Sequence, residues 1–132
     1  MANLCLAATR KLREMLTAEG GLAARAEALA ARDGARPPRI GPANVAERHA
    51  GAALADENIV TQYPLVYVYC ERMENRLERK FAAFSGRLFA VAEARVSGES
   101  IQALDGELER LVEAIGDLLA ERRGQWTENL AF

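Results

Sequence analysis

YPLVYVYCERMENRLERKFAAFSGRLFAVAEARV, residues 63–96, is the stretch that decides how this chain folds. Its start is typical of a β-strand, because Leu65 to Tyr69 are all branched, bulky or aromatic. They also follow Pro64, which disfavours helical geometry at the residue before it. The run from Ser85 to Val96 alternates small or apolar residues with larger or charged ones, which is the period of a half-buried strand. These features predict an antiparallel pair of strands, with the charged segment 71–80 at or near the bend.

A helix is the alternative for the second part of this stretch. From Cys70 onward, apolar residues recur every three or four positions, as on one stripe of a helix. The stripe consists of Cys70, Met73, Leu77, Phe81, Phe84, Leu88 and Val91. Against a helix stand the strand-like start and Gly86 in mid-run, since glycine costs about 1 kcal/mol relative to alanine inside a helix. The residues alone leave hairpin and helix open.

Helices are predicted on both sides of the central stretch. Asn3 is placed to cap a first helix that runs to about Thr17. An alanine-rich segment from Leu22 to Arg32 predicts a second helix, which Asp33-Gly34 stops. Ser100 is the expected cap of a long amphipathic helix that begins at Ile101 and is closed by Gly124. Its leucines and isoleucines recur at spacings of three and four, so one face is expected to be buried.

The segment 34–58 and the C-terminal tail have weaker patterns. Three prolines exclude a regular helix in the first part of the segment, which predicts a long extended loop or arm. Such an arm either orders against a neighbouring subunit or remains a mobile surface loop. In the tail, Trp126, Leu130 and Phe132 alternate well enough for a short terminal strand, whose apolar edge requires a partner.

Size and charge set limits on the class of protein. With 132 residues the chain suits one domain. Its net charge of -2 provides no global attraction to nucleic acid or to an anionic membrane. Residues 1–50 carry 8 Lys/Arg against 5 Asp/Glu, whereas residues 51–132 carry 9 against 14. This polarity is compatible with head-to-tail association of identical subunits, and equally with scattered solvated charge.

The sequence offers no pattern for catalysis or for binding a metal or cofactor. His49 is the single histidine and has no nearby nucleophile or second ligand, so a surface position is predicted. Cys5 and Cys70 have no metal-ligand spacing and are predicted to be buried free thiols in a reducing compartment. No apolar run approaches the roughly 18 residues of a membrane span, so a soluble intracellular protein is expected.

A base-stacking platform for single-stranded nucleic acid is one alternative for the tyrosines of this stretch. Tyr63, Tyr67 and Tyr69 together with Arg72 are residue types that such platforms use. Strict alternation, however, places the acidic Glu71 on the face of Tyr67 and Tyr69, and the chain as a whole is acidic. One face of a packed sheet, without specific nucleic-acid binding, is therefore the prediction.

Two groups of residues carry a family resemblance. Tyr63-Pro64 opens a strand that contains Val66 to Glu71, and Phe84-Ser85-Gly86 opens a second strand that ends in EARVSGE, residues 93–99. In their order between a first helix and a long amphipathic helix, they resemble the tail-terminator or tail-completion (head-tail joining) proteins of long-tailed bacteriophages and phage-like particles. The resemblance covers roughly residues 59–126 and favours the hairpin over the helix.

The resemblance implies an α+β domain in which an N-terminal helix, a long connection and an antiparallel β-hairpin or sheet pack against a long C-terminal amphipathic helix. It implies a homo-oligomeric ring at the head-proximal end of the tail tube, which stops tube growth and joins tail to neck. The implied partners are the tail-tube protein and a neck or stopper protein. The implied location is the virion, after assembly in the bacterial host cytoplasm. It implies neither catalysis nor a cofactor.

Members of the family continue past the helix with a further strand or hairpin that completes the sheet. This chain ends at Phe132, so the resemblance implies either a shortened member or a fragment.

Basic residues are the candidate contact site for a neighbouring subunit or partner. The candidates are Arg72, Arg76, Arg79 and Lys80 near the expected bend, with Arg36 and Arg39 in the long connection. We hypothesise that those near the bend contact an acidic surface of the next ring or subunit. The alternative function is a non-enzymatic cytosolic interaction or regulatory module, built as a helical hairpin with residues 70–95 in helical form.

Overall fold

The fold is α+β in the computed structural model, which describes residues 4–47, 63–75, 86–97, 100–127 and 130–132. The helices in these ranges are α1 (Leu4–Thr17), α2 (Leu22–Arg32) and α3 (Ile101–Glu121). The strands are β1 (Val45–Ala46), β2 (Leu65–Asn75), β3 (Gly86–Arg95), β4 (Gln125–Thr127) and β5 (Leu130–Ala131). A single 3-10 turn, Pro42–Asn44, precedes β1. The predicted fold class is confirmed.

Strands β2 and β3 form the predicted antiparallel pair. Their register runs from Leu65 opposite Arg95 to Asn75 opposite Gly86. The alternative helix is therefore wrong for residues 70–75 and 86–95, which are extended. The period of two prevails because it places Val66 and Val68, both fully buried, on the face that packs against the helices.

A β-bulge at Glu71 explains why Cys70 and Met73 have a helix-like spacing of three. Cys70 lies opposite Ala90 and Arg72 lies opposite Phe89, so Glu71 is the extra residue of β2. Beyond the bulge the alternation is inverted, which brings Met73 onto the same face as Cys70 although the two are three positions apart. For the same reason, Arg72 and not Glu71 joins the face of Tyr67, and the strict alternation expected from the sequence is wrong here.

The core lies between the helices and the half of the hairpin nearest the start of β2. All three described helices, β1 and β2 contribute to it, and Leu111, Ile115 and Leu118 of the predicted apolar stripe are buried in it together with Ala114. Burying one such aliphatic side chain stabilises the fold by roughly 1.5–3 kcal/mol. The buried residues of the core are Leu12, Met15, Leu16, Leu22, Ala26, Val45, Val66, Val68, Leu111, Ala114, Ile115 and Leu118.

Part of the predicted arm packs on the domain itself. Strand β1 runs parallel to β2, with Val45 opposite Val66, and the Val45 side chain is buried. The Asn44 side chain donates from Nδ2 to the carbonyl oxygen of Pro64 at 2.9 Å and accepts at Oδ1 from the Gly41 amide at 2.9 Å. Residues 42–46 therefore do not extend away from the domain. Residues 48–58 lie outside the described ranges.

The helix ends agree closely with their local signals. Helix α2 has the predicted bounds, and Gly34 adopts the left-handed conformation (φ +65°) that stops it. The Ser100 hydroxyl accepts from the Ala103 amide at 3.4 Å, as expected of the cap of α3. Helix α3 ends at Glu121, three residues before Gly124. The proposed cap Asn3 lies outside the described residues.

The tail forms its own small hairpin instead of one terminal strand. Strands β4 and β5 pair antiparallel, and the backbones of Gly124 and Phe132 exchange hydrogen bonds of 2.8 and 2.7 Å. The rings of Trp126 and Phe132 pack with centroids 5.5 Å apart. The partner that the apolar end requires is thus supplied by the preceding residues of the tail.

Candidate interaction surface

The far end of the β2–β3 hairpin extends beyond the core. We call residues 71–75 of β2 and 86–90 of β3 the distal ribbon. At the near end Val66 and Val68 have no exposed surface, whereas residues 71–74, 86, 87 and 90 are exposed. With a rise of about 3.3 Å per residue, five residues correspond to a ribbon about 16 Å long. Most of the ribbon is therefore available for contact with another molecule.

One face of the distal ribbon is apolar. The bulge places Met73 opposite Leu88 on the face that continues from the core strand residues, and Cys70 lies opposite Ala90 on the same face. Met73 keeps 44% of its surface exposed and Leu88 is half-buried. The inner face of the sheet thus continues past the helices that cover it and presents apolar side chains to solvent.

The opposite face of the distal ribbon carries Arg72 in a defined position. Its guanidinium carbon lies 4.2 Å from the centroid of the Phe89 ring, and it forms an ion pair with Glu74 at 3.7 Å. A cation–π contact at an exposed site contributes roughly 0.5–1 kcal/mol. Because the side chain is still 60% exposed, it presents a positive charge to solvent from a fixed direction.

The outer edge of β3 is a second feature of this surface. In the described part of the chain the sheet order is β1-β2-β3, so β3 pairs with β2 alone. Its other edge presents backbone amide and carbonyl groups along ten residues. Such an edge favours pairing with another strand.

The structure describes three of the six basic candidates. Arg72 lies on the distal ribbon, while Arg76, Arg79 and Lys80 fall outside the described residues. Arg36 and Arg39 are exposed in the irregular segment after α2 and make no ion pair or hydrogen bond with a described residue. No contact joins them to Arg72, so of the three described candidates Arg72 alone is part of the ribbon surface.

Other charged residues join helices instead of forming a site. The Arg25 guanidinium pairs with Glu121, and Arg32 binds both Asp33 and Glu113, with nitrogen–oxygen distances of 2.8 and 2.9 Å for Arg32. The pairs of Arg25 with Glu121 and of Arg32 with Glu113 link α2 to α3. Hydrogen bonds from the arginines lower the pKa of Asp33, Glu113 and Glu121 below the usual carboxylate range.

The two cysteines lie in contact, which sequence reasoning missed. The Sγ atoms of Cys5 in α1 and Cys70 in β2 are 2.6 Å apart although 65 positions separate them in sequence. Both are half-buried instead of buried as predicted, because Cys70 is the last residue before the exposed ribbon. Burial, followed by the hydrogen bond with Cys5, raises the pKa of the Cys70 thiol to about 11.

The described ranges hold no group of three or more His, Cys, Asp or Glu side chains arranged to bind a metal ion. Nor do they include a helix that combines the length and the apolar character needed to cross a membrane. Comparison of the chain with protein-family models, with curated proteins and with solved structures found no match. The family resemblance therefore stays a prediction from the residues.

Proposed function

We propose that the protein is a structural subunit that assembles through its distal ribbon into a closed homo-oligomeric ring. The ring would act as a phage tail terminator, at the head-proximal end of a tail tube and next to a neck protein. The observation that carries the proposal is the ribbon itself, a two-stranded extension with exposed apolar residues on one face and Arg72 on the other. A two-stranded ribbon is marginally stable alone in water, so a neighbouring subunit that covers it adds stability.

The same surface explains why a ring is favoured over a two-fold dimer. The ribbon projects from one end of the sheet, and its apolar face differs from the helical surface at the other end. Contacts between unlike surfaces of identical subunits are heterologous, and they produce a ring when the rotation closes.

A second candidate is a binding module that accepts a strand from a different protein at the β3 edge. It corresponds to the non-enzymatic interaction module predicted as the alternative, with a sheet in place of the helical hairpin. The open edge of β3 favours it, because main-chain hydrogen bonds to an added strand provide affinity. This candidate predicts a purified protein that remains monomeric.

Electron microscopy and light scattering of the purified full chain separate the two. We expect closed rings with one uniform number of subunits; a monomer at every concentration would exclude the ring and favour the binding module. Added to the tail-tube protein encoded nearest to its gene, the ring is expected to stop tube growth. If rings form but do not stop tube growth, the proposed assembly stands and the tail-terminator role is excluded.

A matched pair of variants tests whether the distal ribbon is the contact surface. Met73→Lys places a charge on the apolar face of the ribbon, and Val112→Lys places the same charge on α3, where Val112 is 58% exposed. Neither residue is in the core, so both variants should fold with unchanged circular dichroism. We expect Met73→Lys to abolish rings and Val112→Lys to retain them. The reverse result would move the interface to α3.

A further inference from the structure

We infer that Cys5 and Cys70 are a redox pair that closes to an intramolecular disulfide and thereby fastens the base of the distal ribbon to α1. The inference is independent of ring assembly. It rests on the positions of two side chains within the folded domain, one on helix α1 and the other on strand β2.

The geometry of the pair brings the two sulfurs within reach of a bond. Their Sγ atoms are 2.6 Å apart, and a disulfide has a bond length of about 2.05 Å. A movement of about half an ångström, shared between two side chains, is small for half-buried residues. These are also the only two cysteines in the chain, so an intramolecular bond has one possible connectivity.

A shared metal ion does not fit the same geometry. Two thiolates on one tetrahedral zinc ion, each about 2.3 Å from the metal, stand about 3.8 Å from one another. The observed separation of 2.6 Å is too small for that arrangement. In addition, no third His, Cys, Asp or Glu among the described residues completes a ligand set with them.

The reaction requires an oxidant, for which a small-molecule disulfide is the appropriate class. The thiolate of one cysteine attacks this disulfide, forms a mixed disulfide and releases one small thiol. The second cysteine, deprotonated, then attacks the protein sulfur of the mixed disulfide and releases the second small thiol. The protein loses two electrons and two protons, which the two released thiols carry.

The position of the pair determines what the bond does. Cys5 lies in the first turn of α1, and Cys70 directly precedes the bulge at which the ribbon leaves the core. A disulfide here joins residues that are 65 positions apart and prevents α1 from separating from the base of the ribbon. Constraining a loop of this length in the unfolded chain should raise the melting temperature by roughly 10 °C.

Oxidised glutathione is the probe, applied to the full chain and followed by mass spectrometry. We expect the intact mass to fall by two hydrogens, and trypsin to yield peptide 1–10 joined to peptide 49–72. The melting temperature should rise and return to its starting value with dithiothreitol. Glutathione adducts or intermolecular dimers without this cross-link would overturn the inference, and a cross-link that leaves the melting temperature unchanged would overturn the fastening role.

Cys5→Ala and Cys70→Ala are the matched controls. Each retains one thiol and removes the intramolecular reaction, so oxidised glutathione should give a single adduct and no gain in melting temperature. Because the two variants alter opposite ends of the contact, a folding defect in one leaves the other as a control. A gain in melting temperature in either variant would contradict the assignment to this pair.

Discussion

At the scale of single residues, Asn44 is the polar side chain that most directly joins separate parts of the fold. It is 9% exposed, and its amide group bonds both the Pro64 carbonyl and the Gly41 amide. A buried polar group that loses its partner costs about 1–3 kcal/mol. Asn44 thus connects the end of the long connection to the start of β2.

Asn44→Ala should therefore lower the free energy of unfolding by about 1–3 kcal/mol, because it leaves the Pro64 carbonyl and the Gly41 amide without these partners. Urea denaturation measures the change. Arg39→Ala is the control, since this exposed side chain bonds no described residue, and a change within about 0.5 kcal/mol is expected. An equal effect of both variants would show that the Asn44 hydrogen bonds contribute nothing specific.

Residue-scale features were also the least predictable from sequence. The contact of Cys5 with Cys70 depends on how α1 docks against β2, and no local signal encodes a contact across 65 positions. The bulge at Glu71 has no glycine to mark it, yet it reverses which face every later residue of β2 occupies. Composition identified Arg72 as a candidate, but not its stacking on Phe89.

At the scale of elements, ion pairs between α2 and α3 make stability depend on pH. Glu121 pairs with Arg25 across the two helices, which lowers the pKa of the Glu121 carboxyl below its ordinary value of 4.5. Because the pKa of Glu121 is lower in the folded than in the unfolded chain, the ion pair contributes fully to folding stability at pH values above the unfolded-state pKa. This contribution is lost as the pH falls through the folded-state pKa. The pairing therefore contributes at neutral pH and not in strong acid.

Glu121→Gln should destabilise the protein at about pH 7 and lose this effect in strong acid, once the pH has fallen through the lowered folded-state pKa and the wild-type carboxyl is itself protonated. Urea midpoints at both pH values measure this difference. Glu109→Gln is the control, because Glu109 is exposed on the same helix and forms no ion pair with a described residue. Equal losses for Glu121→Gln at both pH values would mean that the side chain acts through packing and not through its charge.

Elements with local signals were predicted well, and elements that depend on a partner were not. The bounds of α2 and the Ser100 cap of α3 follow from residues within a few positions of the helix ends. Strand β1 has two residues in a segment of prolines and glycines, and β2 supplies its hydrogen-bonding partner. The tail likewise forms two strands because each pairs with the other.

At the scale of the whole molecule, the two halves of one hairpin have different roles. The near half belongs to the core that stabilises the fold, and the far half is the proposed contact surface. Helix α1 packs on β2 and β3, and helix α3 packs on β3, around the core in which Val66 and Val68 are buried. The distal ribbon extends past this core with Met73 exposed. In the ring that we propose, the core folds within each subunit and a neighbour adds stability to the ribbon. The α+β class was predicted through the family resemblance, because the residues alone left hairpin and helix open for the central stretch.

Hydrogen exchange should reveal this division directly. In the monomeric Met73→Lys variant, amides around Val66 and Val68 should exchange only through global unfolding, because core packing holds both strands there. Amides of the distal ribbon should exchange much faster, since opening it disrupts few buried contacts. In rings of the wild-type chain the ribbon should become as slow as the near half. A ribbon already slow in the monomer would mean that it is stabilised within its own subunit, and a ribbon still fast in the ring would exclude it as the contact surface.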